Sequence, residues 1–166
     1  MTARAANVAG FLVCAALLVY AYYAQFGLHL EPCPLCIFQR VGVFVTGCLF
    51  ALAALHDPAS WGRRLYAVLI DLAALATAGV ALRQLYIQSL PPGSIPACGA
   101  SLDFMLKVFP LSDVISKVLT GSGECSKVDW RFLGLAMPGW VLIAALALGA
   151  WGLWANLLPR RPVLRF

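Results

Sequence analysis

The segment Glu31-Pro32-Cys33-Pro34-Leu35-Cys36-Ile37-Phe38-Gln39-Arg40 holds a Cys-x-x-Cys pair where a polar, proline-bearing stretch gives way to an apolar run. Pro32 and Pro34 donate no backbone hydrogen bond, and each biases the residue before it away from helix. A helix is therefore expected to start at about Leu35 or Cys36. Cys36 would then lie in the first turn, where free backbone N–H groups and the helix dipole favour a thiolate. Arg40, four residues on, shares that helical face and adds a permanent cation. Two thiols at a helix start with a cation one turn away make a redox-active arrangement. A bridge that closes only two intervening residues restricts little chain entropy, and short bridges of this kind exchange readily.

Cys98 and Cys125 form a second pair by position, whereas Cys14 and Cys48 fall inside apolar runs, where free cysteine packs as a small hydrophobe. Four exchangeable cysteines allow three connectivities, and the spacing leaves them open. A zinc site built from the four thiolates is disfavoured, because there is no second Cys-x-x-Cys, so no metal is assigned.

These residues must be carried by a membrane-embedded frame. Of 166 residues, 62% are hydrophobic and 11% charged, against about 25% charged in soluble domains. Apolar stretches at about 8–28, 37–55, 65–90 and 135–158 are each long enough to cross a bilayer as a helix. A cleaved leader is the competing reading of the first stretch. Its length and the spans that follow favour a retained helix. The expected architecture is an all-α four-transmembrane-helix bundle, one membrane domain over residues 1–166. Loops would fall at about 29–36, 56–64 and 91–134.

The net charge of +5 could suggest nucleic acid, but its placement follows membrane topology instead. Arg4, Arg63, Arg64, Arg160, Arg161 and Arg165 stand against Asp57 on one side; Lys107, Lys117, Lys127 and Arg131 balance Asp103, Asp113, Glu124 and Asp129 on the other. The excess of arginine puts both termini and the short middle loop in the cytoplasm. Cys33, Cys36, Cys98 and Cys125 then face the outer, oxidising side. In the long loop, Leu111, Val114, Ile115, Val118 and Leu119 recur at helical spacing, so a short amphipathic helix is expected there, lying at the interface and covering the bundle.

Arg40, Arg83 and Gln84 are polar groups within spans near the outer surface, and such groups are costly in lipid and usually functional. Asp71 lies deeper and receives no role. No haem or flavin motif is visible. Electrons leaving the thiols suit a lipid-soluble quinone, which needs a polar donor for its carbonyl and a thiolate against its ring. Cys36 and Arg40 offer both.

The chain resembles the disulfide bond formation protein B (DsbB) family, quinone-dependent thiol oxidases of the bacterial inner membrane. The resemblance rests on Pro32-Cys33-Pro34-Leu35-Cys36-Ile37 with Arg40, on Pro96-Ala97-Cys98, and on Gly123-Glu124-Cys125. It continues through Trp130-Arg131-Phe132-Leu133-Gly134-Leu135 and Met137-Pro138-Gly139-Trp140. It implies that a Cys98–Cys125 disulfide oxidises a periplasmic thioredoxin-like (DsbA-like) protein, with Cys98 forming the mixed disulfide. Cys125 would pass electrons to a Cys33–Cys36 disulfide. Cys36 would meet ubiquinone or menaquinone from the membrane pool as a thiolate in a charge-transfer contact, assisted by Arg40. Gln84 stands where some members carry a histidine, so it can hydrogen-bond but not become a cation. Glu31 stands where a basic residue occurs in some members and puts an anion near Cys33. A vitamin K epoxide reductase-like enzyme and a scaffold with structural disulfides are the alternatives.

Overall fold

The computed structural model describes residues 2–91, 107–110, 112–114, 118, 123–126, 128 and 130–157. Four long helices carry the fold: α1 (Ala3–Phe26), α2 (Pro34–His56), α3 (Ser60–Ser89) and α5 (Met137–Leu157). Each is long and apolar enough to cross a membrane. They form a multi-pass membrane bundle, and exposed Leu12, Val19, Phe44, Leu72 and Leu146 give it an apolar exterior suited to lipid.

The helix ends follow from local chemistry. Thr2 caps α1 by accepting the Ala5 N–H at 3.1 Å. Asp57 ends α2 in the left-handed conformation, with φ of 38°, and Pro58 follows it. The second helix starts earlier than its prolines suggest. Pro34 occupies its first position, where a missing N–H costs nothing and the ring presets φ, and extended Cys33 becomes the cap.

Small residues let the helices approach closely. A β-carbon on Gly42 would stand 2.1 Å from Thr77 Oγ1, and one on Gly152 would stand 2.5 Å from Ile70. Glycine at these contacts lets α2 meet α3 and α5 meet α3 without the side-chain stand-off that larger residues impose. Buried Thr46 and Thr77 donate to Gly42 and Ala73 carbonyls in their own helices, both at 2.8 Å, so neither hydroxyl is orphaned in the apolar interior. One apolar cluster, Cys14, Val43, Phe50, Ile70 and Leu148, fills the middle of the bundle. Another sits at the end that bears the Cys-x-x-Cys pair: Leu35, Ile87, Val114, Val118 and Cys125.

Most of the amphipathic helix expected around 111–119 lies outside the described residues. Residues 112–114 and 118 are helical. Val114 and Val118 are buried against Leu35 and Ile87, so these two residues cover that end of the bundle. The all-α expectation needs one addition, a small antiparallel hairpin of β1 (Arg131–Phe132) and β2 (Leu135–Ala136). Its turn residues Leu133 and Gly134 both have positive φ, 49° and 82°, the sense that matches strand twist in a two-residue hairpin.

Candidate active site

The turn that begins α2 builds the thiol pair. Cys33 Sγ accepts the Cys36 backbone N–H at 3.4 Å, closing the helix cap with sulfur in place of the usual oxygen. The Cys33 S–H donates to Cys36 Sγ at 2.9 Å. Both cysteines are half-buried, and both line the same cavity.

The third sulfur comes from the other end of the sequence. Short helix α4 (Gly123–Ser126) places Cys125 in the apolar cluster at the thiol end, 1% exposed, with Cys33 packed against it. The Cys33 and Cys125 thiols hydrogen-bond. That contact, the bond to Cys36 and burial push the Cys33 thiol far above the ordinary thiol range. Cys33 therefore keeps its proton at neutral pH and stands between two other sulfurs. Cys98 lies outside the described residues.

Gln84 on α3 reaches across to the pair. Its Nε2 lies 3.3 Å from Cys36 Sγ and 3.4 Å from Cys33 Sγ. Its Oε1 is 3.6 Å from Cys36 Sγ but accepts Gln39 Nε2 at 2.7 Å, so the shorter sulfur contacts belong to the N–H group. Gln39 and Gln84 are both almost fully buried, at 4% and 3% exposed. Gln39 was not among the residues expected at the site. Its polarity within an apolar run, one helical turn from Cys36, is the signal that marks it.

The two arginines sit differently. Arg40 faces the cavity but is held by α1: its guanidinium donates to Gln25 Oε1, donates to the Ala21 carbonyl at 3.0 Å, and lies over the Tyr22 ring. Cys33 and Gln84, rather than Arg40, make the hydrogen bonds to Cys36 Sγ among the described residues. Arg83 stacks over Tyr86, 5.3 Å from the ring centre, and is not among the described residues that line the cavity. The Arg40–Cys36 spacing put both on one face of α2, but the long Arg40 side chain reaches sideways to acceptors on α1.

The cavity itself measures about 660 Å³, within the usual range for small-molecule sites. Leu17, Leu18, Ala21, Val43, Val141 and Ala144 give it apolar walls from α1, α2 and α5. Trp130, Phe132 and Trp140 form the side nearest the hairpin. These rings pack in series, Trp130 stacked on Phe132 at 6.0 Å and Phe132 tilted against Trp140 at 5.9 Å. The Trp140 indole N–H donates to the Phe132 carbonyl at 3.2 Å and ties α5 to the hairpin. The polar lining of the cavity is Cys33, Cys36, Gln39, Arg40 and Gln84, together with Glu31 and Gln88. Three neighbouring sulfurs, of which two open onto an apolar chamber, are equipped for thiol–disulfide exchange that ends at the chamber wall.

The sequence profile described as "Disulfide bond formation protein DsbB" matches residues 3–155. A relative from Nitrosococcus oceani, named disulfide bond formation protein B, is 50% identical over 145 residues, covering 87% of this chain and 86% of that protein. Relatives of the same name from Methylococcus capsulatus and Chromobacterium violaceum are 50% and 49% identical over 157 and 152 residues. These alignments cover 93% and 89% of this chain, and 96% and 92% of those proteins. The chain belongs to the DsbB family of disulfide bond formation proteins.

Proposed function

We propose that the chain is a quinone-dependent thiol oxidase that reoxidises a periplasmic thioredoxin-like dithiol protein of the DsbA type. It would reside in the bacterial inner membrane with both termini cytoplasmic, the orientation favoured by its arginine distribution. The carrying observation is the convergence of Cys125, Cys33 and Cys36, of which Cys33 and Cys36 line an apolar cavity. The family match over residues 3–155 favours this reading over a vitamin K epoxide reductase-like enzyme or a scaffold.

In this reading Cys98 and Cys125 accept two electrons from the partner, whose two thiols become a disulfide. The sulfur order then runs from Cys125 through Cys33 to Cys36. Cys125 attacks at Cys33, with which it hydrogen-bonds, and Cys36 leaves as the thiolate. Gln84 Nε2 and the positive end of the α2 dipole stabilise that thiolate. A ubiquinone or menaquinone bound in the cavity supplies a two-electron, two-proton acceptor. The residues fit such a group: flat apolar walls for a ring and tail, with the Arg40 guanidinium and a buried amide at the polar wall for carbonyl oxygens. Arg40, held by Gln25 and Ala21, is a fixed donor that needs no reordering on binding.

The test is quinone-coupled turnover in detergent, with a reduced thioredoxin-like periplasmic protein and ubiquinone, beside Cys36→Ser. Quinone loss that requires both the protein dithiol and Cys36 supports the reading. No loss with ubiquinone or menaquinone from a folded sample overturns it.

A further inference from the structure

The Gln39–Gln84 contact does work that neither family membership nor the cavity assigns. A primary amide has two ends of nearly equal shape and opposite hydrogen-bonding sense. Rotation by half a turn exchanges donor for acceptor at almost no steric cost. At Gln84 the choice has chemical consequences, because the end facing Cys33 and Cys36 either donates to sulfur or repels a thiolate. Gln84 is buried, so water cannot make good a wrong choice.

Gln39 decides it. Its Nε2 sits 2.7 Å from Gln84 Oε1. With Gln39 so placed, turning Gln84 over would set one NH₂ group against another at that distance in a water-poor interior. Oε1, also 3.6 Å from Cys36 Sγ, is thereby held to α2, and Nε2 makes the closer approach to the two sulfurs at 3.3 and 3.4 Å. Gln39 touches neither sulfur among the described hydrogen bonds; it acts through Gln84. It also occupies the turn of α2 directly after Cys36, so the helix that carries the thiol also carries the group that orients its donor.

We propose that Gln39 is a positioning residue for the thiol chemistry: it locks the Gln84 carboxamide with its N–H end toward Cys33 and Cys36. The role deepens the oxidase reading and rests on Cys33 and Cys36 being the reacting pair.

The experiment needs neither quinone nor partner protein. The fully reduced protein is alkylated with iodoacetamide across a pH series, and Cys36 modification is followed by peptide mass spectrometry. The variants are Gln39→Met, Gln84→Met and the double substitution; methionine keeps the unbranched shape and removes the amide. Gln39→Met is expected to slow Cys36 alkylation at neutral pH about tenfold, as expected for weakening one charge-assisted hydrogen bond, and to displace the pH profile toward alkali. In the Gln84→Met background the same change at residue 39 should have no further effect. A profile unmoved by Gln39→Met overturns the proposal, as does an additive effect in the double variant. Gln39→Leu is the second probe should Gln39→Met fail to fold, and is read by the same criteria. Failure here leaves the oxidase reading intact, since quinone turnover is measured separately; failure of turnover leaves the alkylation result standing.

Discussion

Two buried amide pairs tie helices together at opposite ends of the bundle, and they are built differently. At the end holding the N-terminus, Asn7 on α1 and Asn156 on α5 exchange both hydrogen bonds, each Nδ2 donating to the other's Oδ1 at 3.0 Å. Asn156 Nδ2 also donates to the Gly152 carbonyl at 3.0 Å, and the Trp151 indole donates to the Ala6 carbonyl at 2.9 Å. That pair is closed on itself and on nearby backbone. At the thiol end, Gln39 and Gln84 share a single one-way bond, and the remaining donor is presented to sulfur. A reciprocal pair consumes its polarity in holding helices together. A one-way pair passes its polarity on to whatever lies next in line. The same residue chemistry thus fastens helices at one end and, in the proposed reading, stabilises a thiolate at the other.

Three substitutions break this comparison in decreasing order of effect. Cys125→Ala should abolish turnover with the protein partner, a loss of at least about a thousandfold, since the exchange has no sulfur to pass through. The same variant should alter the titration of Cys33. In the intact protein Cys33 keeps its proton above the ordinary thiol range, chiefly through Cys125. The unfolded chain ionises at about 8.5, so the reduced folded protein should lose stability as pH rises past that value. Without Cys125, Cys33 alkylation should begin at lower pH; an unchanged profile would show that the Cys125 contact is not what holds the proton. Gln39→Met comes next, with the smaller kinetic displacement already described. Asn156→Leu should be the mildest for chemistry. It removes a buried reciprocal bond at a cost of about 1 kcal/mol of stability, given the modest value of such bonds between membrane helices. Thermal unfolding in detergent would show the loss, and the Cys36 alkylation profile should not move. A moved profile would mean that the two ends are coupled and the division between them is wrong.

Much of the frame was legible because lipid imposes simple demands. Long apolar runs bounded by arginines and prolines can be little else than crossing helices, and all four candidate spans correspond to helices. The Cys-x-x-Cys pair was legible because two prolines and a helix start restrict where the sulfurs can go. The contact between Cys33 and Cys125 was not derivable from spacing. It depends on how Val114, Val118 and Leu35 pack over the bundle end, a long-range arrangement that local periodicity does not encode. The direction of Arg40 escaped for a related reason. Helical phase places a Cα–Cβ bond, but four flexible carbons and an acceptor pair on α1 decide where a guanidinium goes. The hairpin was hidden because Leu133 takes a left-handed turn position that a branched apolar residue rarely occupies, and its strands are only two residues each. Gln39 was overlooked because a single amide in an apolar run gains meaning only once its neighbour on another helix is known.

The most direct measurement of the central claim is a single turnover without any partner protein. Fully reduced protein carrying Cys98→Ala and Cys125→Ala, which cannot pass the disulfide onward, is mixed with one equivalent of ubiquinone, and thiols are mapped by alkylation and peptide mass spectrometry as quinone disappears. The account predicts that two thiols vanish per quinone consumed, those of Cys33 and Cys36. Quinone consumption with Cys36 still alkylatable, or loss of thiols elsewhere in the chain, would contradict the placement of electron exit at the α2 start.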